Sequence, residues 1–213
     1  MAATKIEASN IAAGAVASTG LSNVVSHTAS TTWTKPTDIT KVIVEVQAGG
    51  GGGGYSGAQD YVIGGSGGGY ARKFIDVSSV TKAVITVGAA GTAAGTASEA
   101  GGDGGDSRWL DTGFGGSSDV KGVKGVGAYS NLGIAAGGAA TGGDINIGGG
   151  PGDNASAQAG SNKPGESFLG IAGRNSPTGG IQASSGYGAG GPGGFSVTSL
   201  AGMPGIVIVW EFK

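Results

Sequence analysis

The sequence predicts an all-β protein: a sandwich-like frame of strands carrying long glycine-rich loops. Three observations predict it. Short β-branched and aromatic runs with a period of two are bounded by Gly, Pro or Ser. No stretch combines a 3.6-residue apolar stripe with a helix cap. Glycine supplies 50 of the 213 residues and is unevenly spread, with two in residues 1–48, 48 in residues 49–205 and none afterwards.

Residues 1–30 are rich in small side chains. Ile6, Ile11, Val16 and Leu21 recur every five positions, a period that fits neither helix nor strand. This stretch is expected to be an extended attachment or shaft segment, or a disordered tail. A glycine-rich β domain is expected over residues 31–213. It opens with Thr31–Thr34, which Pro36 ends and which reads as a short edge strand. A strand near 41–48 carries Val42, Val44 and Val46 on one face, with Ile43, Glu45 and Gln47 on the other. Strands near 70–77 and 82–88 follow, separated by a turn at Ser78 and Ser79, and the last lies near 205–212. If the first and last strong strands share a sheet, they pin both ends of the glycine-rich loop region 89–204.

So long a connection without structure of its own is uncommon in a compact domain, and Gly loses the most entropy on folding. Its charge content is low, however, and apolar residues return at short intervals through it. A physical route to order exists. Extended, polyproline-II-like segments can stack with their amides paired between chains, so that hydrogen bonds and Cα–H···O contacts replace a side-chain core.

Composition excludes several classes. Charged residues are 12% of the chain and the net charge is −2, without the clustered basic face that nucleic acid wants. There is no Cys, hence no disulfide and no thiol nucleophile. No apolar run approaches the roughly 18 residues of a membrane-spanning helix. The first twenty residues lack the basic-then-apolar pattern of a secretory signal. Glycine-rich stretches such as Gly49–Gly54 break the three-residue period of collagen.

The motifs that carry chemistry elsewhere are weak here. Gly52–Gly57 mimics a dinucleotide fingerprint with Asp76 downstream, but the helix it requires is missing. His27, the one imidazole, stands in a polar stretch and reads as a surface or interface residue. Asp103 and Asp106, with Glu99 and Asp111 nearby, lack the spacing of a calcium loop and read as solvated turn carboxylates. No catalytic residue, metal or cofactor is expected. Aromatic residues set among glycines are the more suggestive feature, since rigid rings make contact at little entropic cost. Tyr55, Tyr61, Trp109, Phe114, Tyr129 and Tyr187 are the candidate binding residues; Phe168 and Phe195 belong to the same set.

The ordered series of motifs resembles a known family. It runs Thr31-Thr-Trp-Thr-Lys-Pro36, Lys41-Val-Ile-Val-Glu-Val46, a glycine run with Tyr55, Gly67-Gly-Gly-Tyr-Ala-Arg-Lys-Phe-Ile-Asp-Val77 and Val84-Ile-Thr-Val-Gly88. Gly142-Gly-Asp-Ile-Asn-Ile-Gly-Gly-Gly-Pro-Gly152 and Pro204-Gly-Ile-Val-Ile-Val-Trp-Glu-Phe212 complete it. Together these are similar to the glycine-rich C-terminal domains of bacteriophage and prophage tail fibres. The chain is more loosely similar to glycine-rich phage tip adhesins built from stacked polyglycine-II helices, although it is shorter and framed by strands. The resemblance implies a virion protein and a homotrimer, mounted on other virion proteins through its N-terminal segment. Its loops would meet a bacterial surface receptor, a glycan or an outer-membrane protein. It implies no catalytic residues. The alternative within the same class is a structural capsid or tail decoration without receptor binding; a glycan-cleaving enzyme and an ice-binding protein are further classes.

Overall fold

The computed structural model describes residues 20–56, 61–96, 99–128, 134–156, 163–176, 180–195 and 198–213. Its strands in chain order are β1 (Leu21–His27), β2 (Thr31–Thr34), β3 (Lys41–Gln47), β4 (Tyr55–Ser56), β5 (Tyr61–Ile63), β6 (Tyr70–Asp76), β7 (Lys82–Thr86), β8 (Ser107–Leu110) and β9 (Asp119–Gly122). They continue with β10 (Ala140–Thr141), β11 (Ile145–Ile147), β12 (Asn154–Ser156), β13 (Gly170–Ile171), β14 (Arg174–Ser176), β15 (Gly180–Gln182), β16 (Ser185–Gly186), β17 (Gly194–Phe195) and β18 (Ile206–Phe212).

Two five-stranded sheets form a sandwich-like frame. One has the order β1-β18-β3-β6-β11 and the other β10-β9-β8-β7-β2. The expected pairing of first and last strong strands holds: β3 and β18 are antiparallel neighbours, with Val44 opposite Val209. Alternation then decides the core. Val42, Val44, Val46, Val207 and Val209 point inward from the first sheet against Trp33, Ala83, Ile85, Trp109 and Val120 of the second. Each large side chain so buried contributes about 1.5–3 kcal/mol. The Trp33 and Trp109 rings pack at 5.0 Å between centroids. Their indole N–H groups find buried carboxylates: Trp33 donates to Glu211 at 2.7 Å and Trp109 to Asp111 at 3.2 Å.

Two expectations are corrected. Leu21–His27 is not part of a separate attachment segment; it pairs along β18 and closes one edge of the frame. Its side chains are mostly exposed, so no inward alternation marks it in the sequence. Residues 89–204 are not one loop region either, because β8 and β9 lie inside it and carry Trp109 and Val120 into the core. Four-residue strands are too short for a periodicity argument.

Among the described residues the glycine-rich stretches are ordered; eight continue directly from sandwich strands at one end, and 163–167 and 188–194 join the β13–β16 pair there. Segments 48–54, 88–94, 122–128, 148–153 and 188–194 run away from that end; segments 63–69, 101–106, 135–139, 163–167 and 199–205 run back. Segment 48–54 lies at the centre of six neighbours. Gly49 and Gly52 donate to Gly105 and Gly102, Gly50 and Gly53 to Met203 and Leu200, and Gly51 and Gly54 to Ser66 and Ile63, all within 2.8–3.2 Å. The carbonyls repeat the pattern. Gly49 and Gly52 accept from Gly125 and Ala128, Gly50 and Gly53 from Gly91 and Ala94, and Gly51 and Gly54 from Gly191 and Gly194. Donors thus reach three antiparallel neighbours and acceptors serve three parallel ones, each contact repeating every third residue. That is a polyglycine-II lattice: a three-residue turn with no internal hydrogen bonds, whose amides all bond outward. Residues 65–69 repeat it, with Gly65 and Gly68 donating to Gly191 and Gly188, and Ser66 and Gly69 to Val126 and Val123.

Close approach, not left-handed backbone, is what demands glycine here. None of Gly49–Gly54 has a positive φ. A Cβ on Gly51 would stand 2.1 Å from the Val126 carbonyl oxygen, and one on Gly52 only 1.8 Å from that of Thr92.

Candidate functional site

The frame and the array give the molecule two ends. At the array's far end five chain connections leave the outgoing segments at Gly54, Ala94, Ala128, Asp153 and Gly194 and re-enter the returning ones at Ile63, Gly101, Ala135, Lys163 and Ser199. Each is anchored at both sides by lattice hydrogen bonds, as at Gly54 and Ile63 or Gly194 and Leu200. Loops held on so rigid a base are where binding usually resides.

A groove of about 450 Å³ opens on the flank of the array. Its walls are segments 148–153 and 163–167 together with β13 and the start of β14. Asp153 N–H to the Lys163 carbonyl at 2.8 Å and Gly150 N–H to the Glu166 carbonyl at 2.7 Å tie the walls together. Ile134 and Ile171, each 69% exposed, stand at its rim beside Pro151. Asp153, Lys163, Glu166 and Arg174 line it, and their side chains form no ion pair or hydrogen bond among the described residues. Two cations and two anions therefore remain available to a ligand, beside apolar rims and a backbone floor of Gly150, Gly152 and Gly173.

Charges on segments 101–106 and 121–124 behave differently. Asp103 pairs with Lys124 at 2.8 Å, Asp106 with Lys121 at 2.6 Å, and Arg108 with Asp119 at 2.6 Å. Asp103 also accepts the Gly127 N–H, and Asp106 the Lys124 N–H. The Lys124 ammonium holds the Asp103 carboxyl below its ordinary range. For Asp106, burial pushes upward, but Lys121 and the Lys124 N–H outweigh it and the net direction is down. These are not the solvated turn carboxylates expected. They are fixed rungs, because residues three apart in a polyglycine-II segment share a face. Among the described residues no three His, Cys, Asp or Glu converge as a metal site.

The aromatic candidates do not form one surface. Tyr55 is half-buried on β4 at the far end, where it pairs with Gly194 of β17 and bridges to Glu99. Tyr61 begins β5 at the same end, opposite Ser156 of β12. Tyr129 lies outside the described residues. Trp109 is fully buried in the sandwich, so its reading as a loop aromatic is corrected. Phe114 is half-buried in the β8–β9 turn at the opposite end, with the Lys82 ammonium 4.6 Å from its ring centroid. Tyr187 is half-buried where the array meets the frame, its N–H bonded to Leu169 and its carbonyl accepting from Ser167 Oγ. Phe168, 54% exposed, stacks on Tyr70 at 4.2 Å. Burial, then the hydrogen bond to Glu45, pushes the Tyr70 hydroxyl pKa up. His27 sits on β1, where burial lowers its pKa and Glu211 partly opposes.

Sequence reasoning missed the charged groove, since Asp153, Lys163, Glu166 and Arg174 are scattered singly among glycines. The available signal was Lys163 and Glu166 standing three residues apart, the spacing at which side chains of a three-residue-repeat segment share a face.

A sequence profile described as a glycine-rich domain matches residues 25–210. The chain belongs to this glycine-rich domain family. The match runs from within β1 to within β18, so the family's unit comprises the frame and the array together. It also begins before residue 31, in agreement with β1 as part of the glycine-rich domain. No curated protein matches the chain in sequence.

Proposed function

We propose that this glycine-rich domain is a non-enzymatic fibre or tip protein of a bacteriophage particle, which attaches the virion to the host cell surface. The motif series resembling phage tail-fibre domains motivates the particle. One structural observation supports the attachment role: ten lattice segments put all the sandwich strands at one end and, at the other, the five pairs of segment ends between which the chain turns back. Such a pedestal holds both ends of each connection in place, which lowers the ordering cost on binding. The groove beside it supplies ammonium, guanidinium and carboxylate groups suited to the hydroxyl, amino and carboxyl substituents of envelope glycans. Individual sites of this kind bind weakly, and several copies on one particle raise avidity.

The test is binding of the labelled protein to host cells, together with competition against phage adsorption. Saturable binding and slower adsorption are the expected results. A protein that leaves adsorption untouched, while antibody labels the capsid or tail wall of the particle, overturns this reading in favour of a structural decoration.

A further inference from the structure

The outer face of the first sheet has an exposed apolar centre among the described residues. Cross-strand partners share a face, so the register defines it row by row. Its central row is Val24, Trp210, Ile43 and Phe74, on β1, β18, β3 and β6. Val24 is 43% and Phe74 52% exposed, and Trp210 and Ile43 are half-buried. On one side lies the row Phe212, Lys41 and Asp76; on the other lies Ile208, Glu45, Arg72 and Ile145. Ile145 is 49% exposed. Trp210 Nε1 and the Tyr70 hydroxyl both donate to Glu45, at 2.9 Å each, which fixes that carboxylate in place. At the margin, Asp144 accepts the Phe74 N–H at 2.9 Å. A contiguous apolar face of this kind marks an interaction site.

The charges say what covers it. The rows flanking the apolar centre carry Lys41 and Asp76 on one side and Glu45 and Arg72 on the other, in a checkerboard. A two-fold axis lying in the face along the central row lays the apolar row on its own copy. The same rotation brings Lys41 over the partner's Glu45, Asp76 over the partner's Arg72, and Phe212 over the partner's Ile208. Every charge of the two rows then meets its opposite and none its like. A surface that complements itself under two-fold rotation is an isologous interface. We infer that this sheet face docks a second copy of the chain, face to face, about a two-fold axis perpendicular to the strands. The inference stands independently of the receptor reading. It also differs from the three-copy assembly that the tail-fibre resemblance implies.

Sedimentation equilibrium of the full chain tests it, with circular dichroism as a check on folding. A dimer is expected. Phe74→Glu, at an exposed position, is expected to yield a monomer with an unchanged spectrum. Asp76→Arg sets like charges against the partner's Arg72 and is expected to weaken the dimer by about tenfold or more. Adding Arg72→Asp to Asp76→Arg is expected to restore it. A wild-type monomer overturns the inference and leaves the face to a different protein. A wild-type trimer, or a dimer indifferent to Phe74→Glu, also overturns it. Restoration of an Asp76→Arg dimer by Lys41→Asp instead of Arg72→Asp overturns the axis direction, because residues 76 and 41 would then face each other.

Discussion

At the scale of the residue, the missing methyl group of glycine is the main structural element. The lattice demands it position by position, and the demand differs between glycines of one stretch. Gly51→Ala forces a Cβ onto the Val126 carbonyl oxygen and is expected to cost about 3 kcal/mol or more. Gly95→Ala meets nothing closer than the Glu99 carboxylate at 3.5 Å, without a positive φ. It is expected to be neutral or to stabilise by up to about 1 kcal/mol through the unfolded chain. Urea midpoints at constant slope distinguish the two. His27 gives a pH signature. Burial depresses its pKa below the ordinary 6.5, so the unfolded chain binds the proton more readily. Stability is therefore expected to fall as pH drops below 6.5 towards the folded value, and His27→Gln is expected to flatten that decline.

At the scale of the element, the lattice segment behaves as a third kind of secondary structure. A strand repeats every two residues and a helix every 3.6; here both hydrogen bonding and side-chain direction repeat every three. The ion-paired rungs follow from that period. Asp103 and Asp106 face Lys124 and Lys121 because each pair of like residues is three apart on neighbouring segments. These side chains are 35–44% exposed, so each rung contributes only about 0–1 kcal/mol. The sign is that of depressed carboxyls: the contribution is present above the ordinary value of 3.8 and is lost as pH falls through the lower folded values. Denaturation titrations are expected to show wild type losing stability below pH 3.8 more steeply than Asp103→Asn/Asp106→Asn.

At the scale of the whole molecule, eight of the ten frame strands continue directly into lattice segments, so frame and array order together. Segment 48–54 is the direct continuation of β3, and segment 199–205 leads straight into β18. Hydrogen exchange is expected to show Gly49–Gly54 amides protected to the level of β3. Exchange at the rate of an open chain would contradict the lattice. Much of the frame was legible beforehand: Lys41–Gln47, Tyr70–Asp76, Lys82–Thr86 and Ile206–Phe212 announce themselves by β-branched alternation, and Thr31–Thr34 by its Pro stop. The edge strand Leu21–His27 was not, because an edge strand with both faces largely exposed has no reason to alternate. The aromatic site was legible only in part. A ring in a glycine-rich stretch reads the same whether it faces solvent, as Phe168 does, or fills the core, as Trp109 does.

By itself the sequence determined the class of fold, the principal strands and the need for backbone hydrogen bonding in place of a side-chain core. Those follow from local pattern and composition, which the chain carries at every position. Only the tertiary structure decided which segments neighbour which, and hence where the groove, the charged rungs and the apolar sheet face lie. A glycine backbone is the same at every residue, so its pairing partners are chosen by the strands at its ends and not by anything written along it.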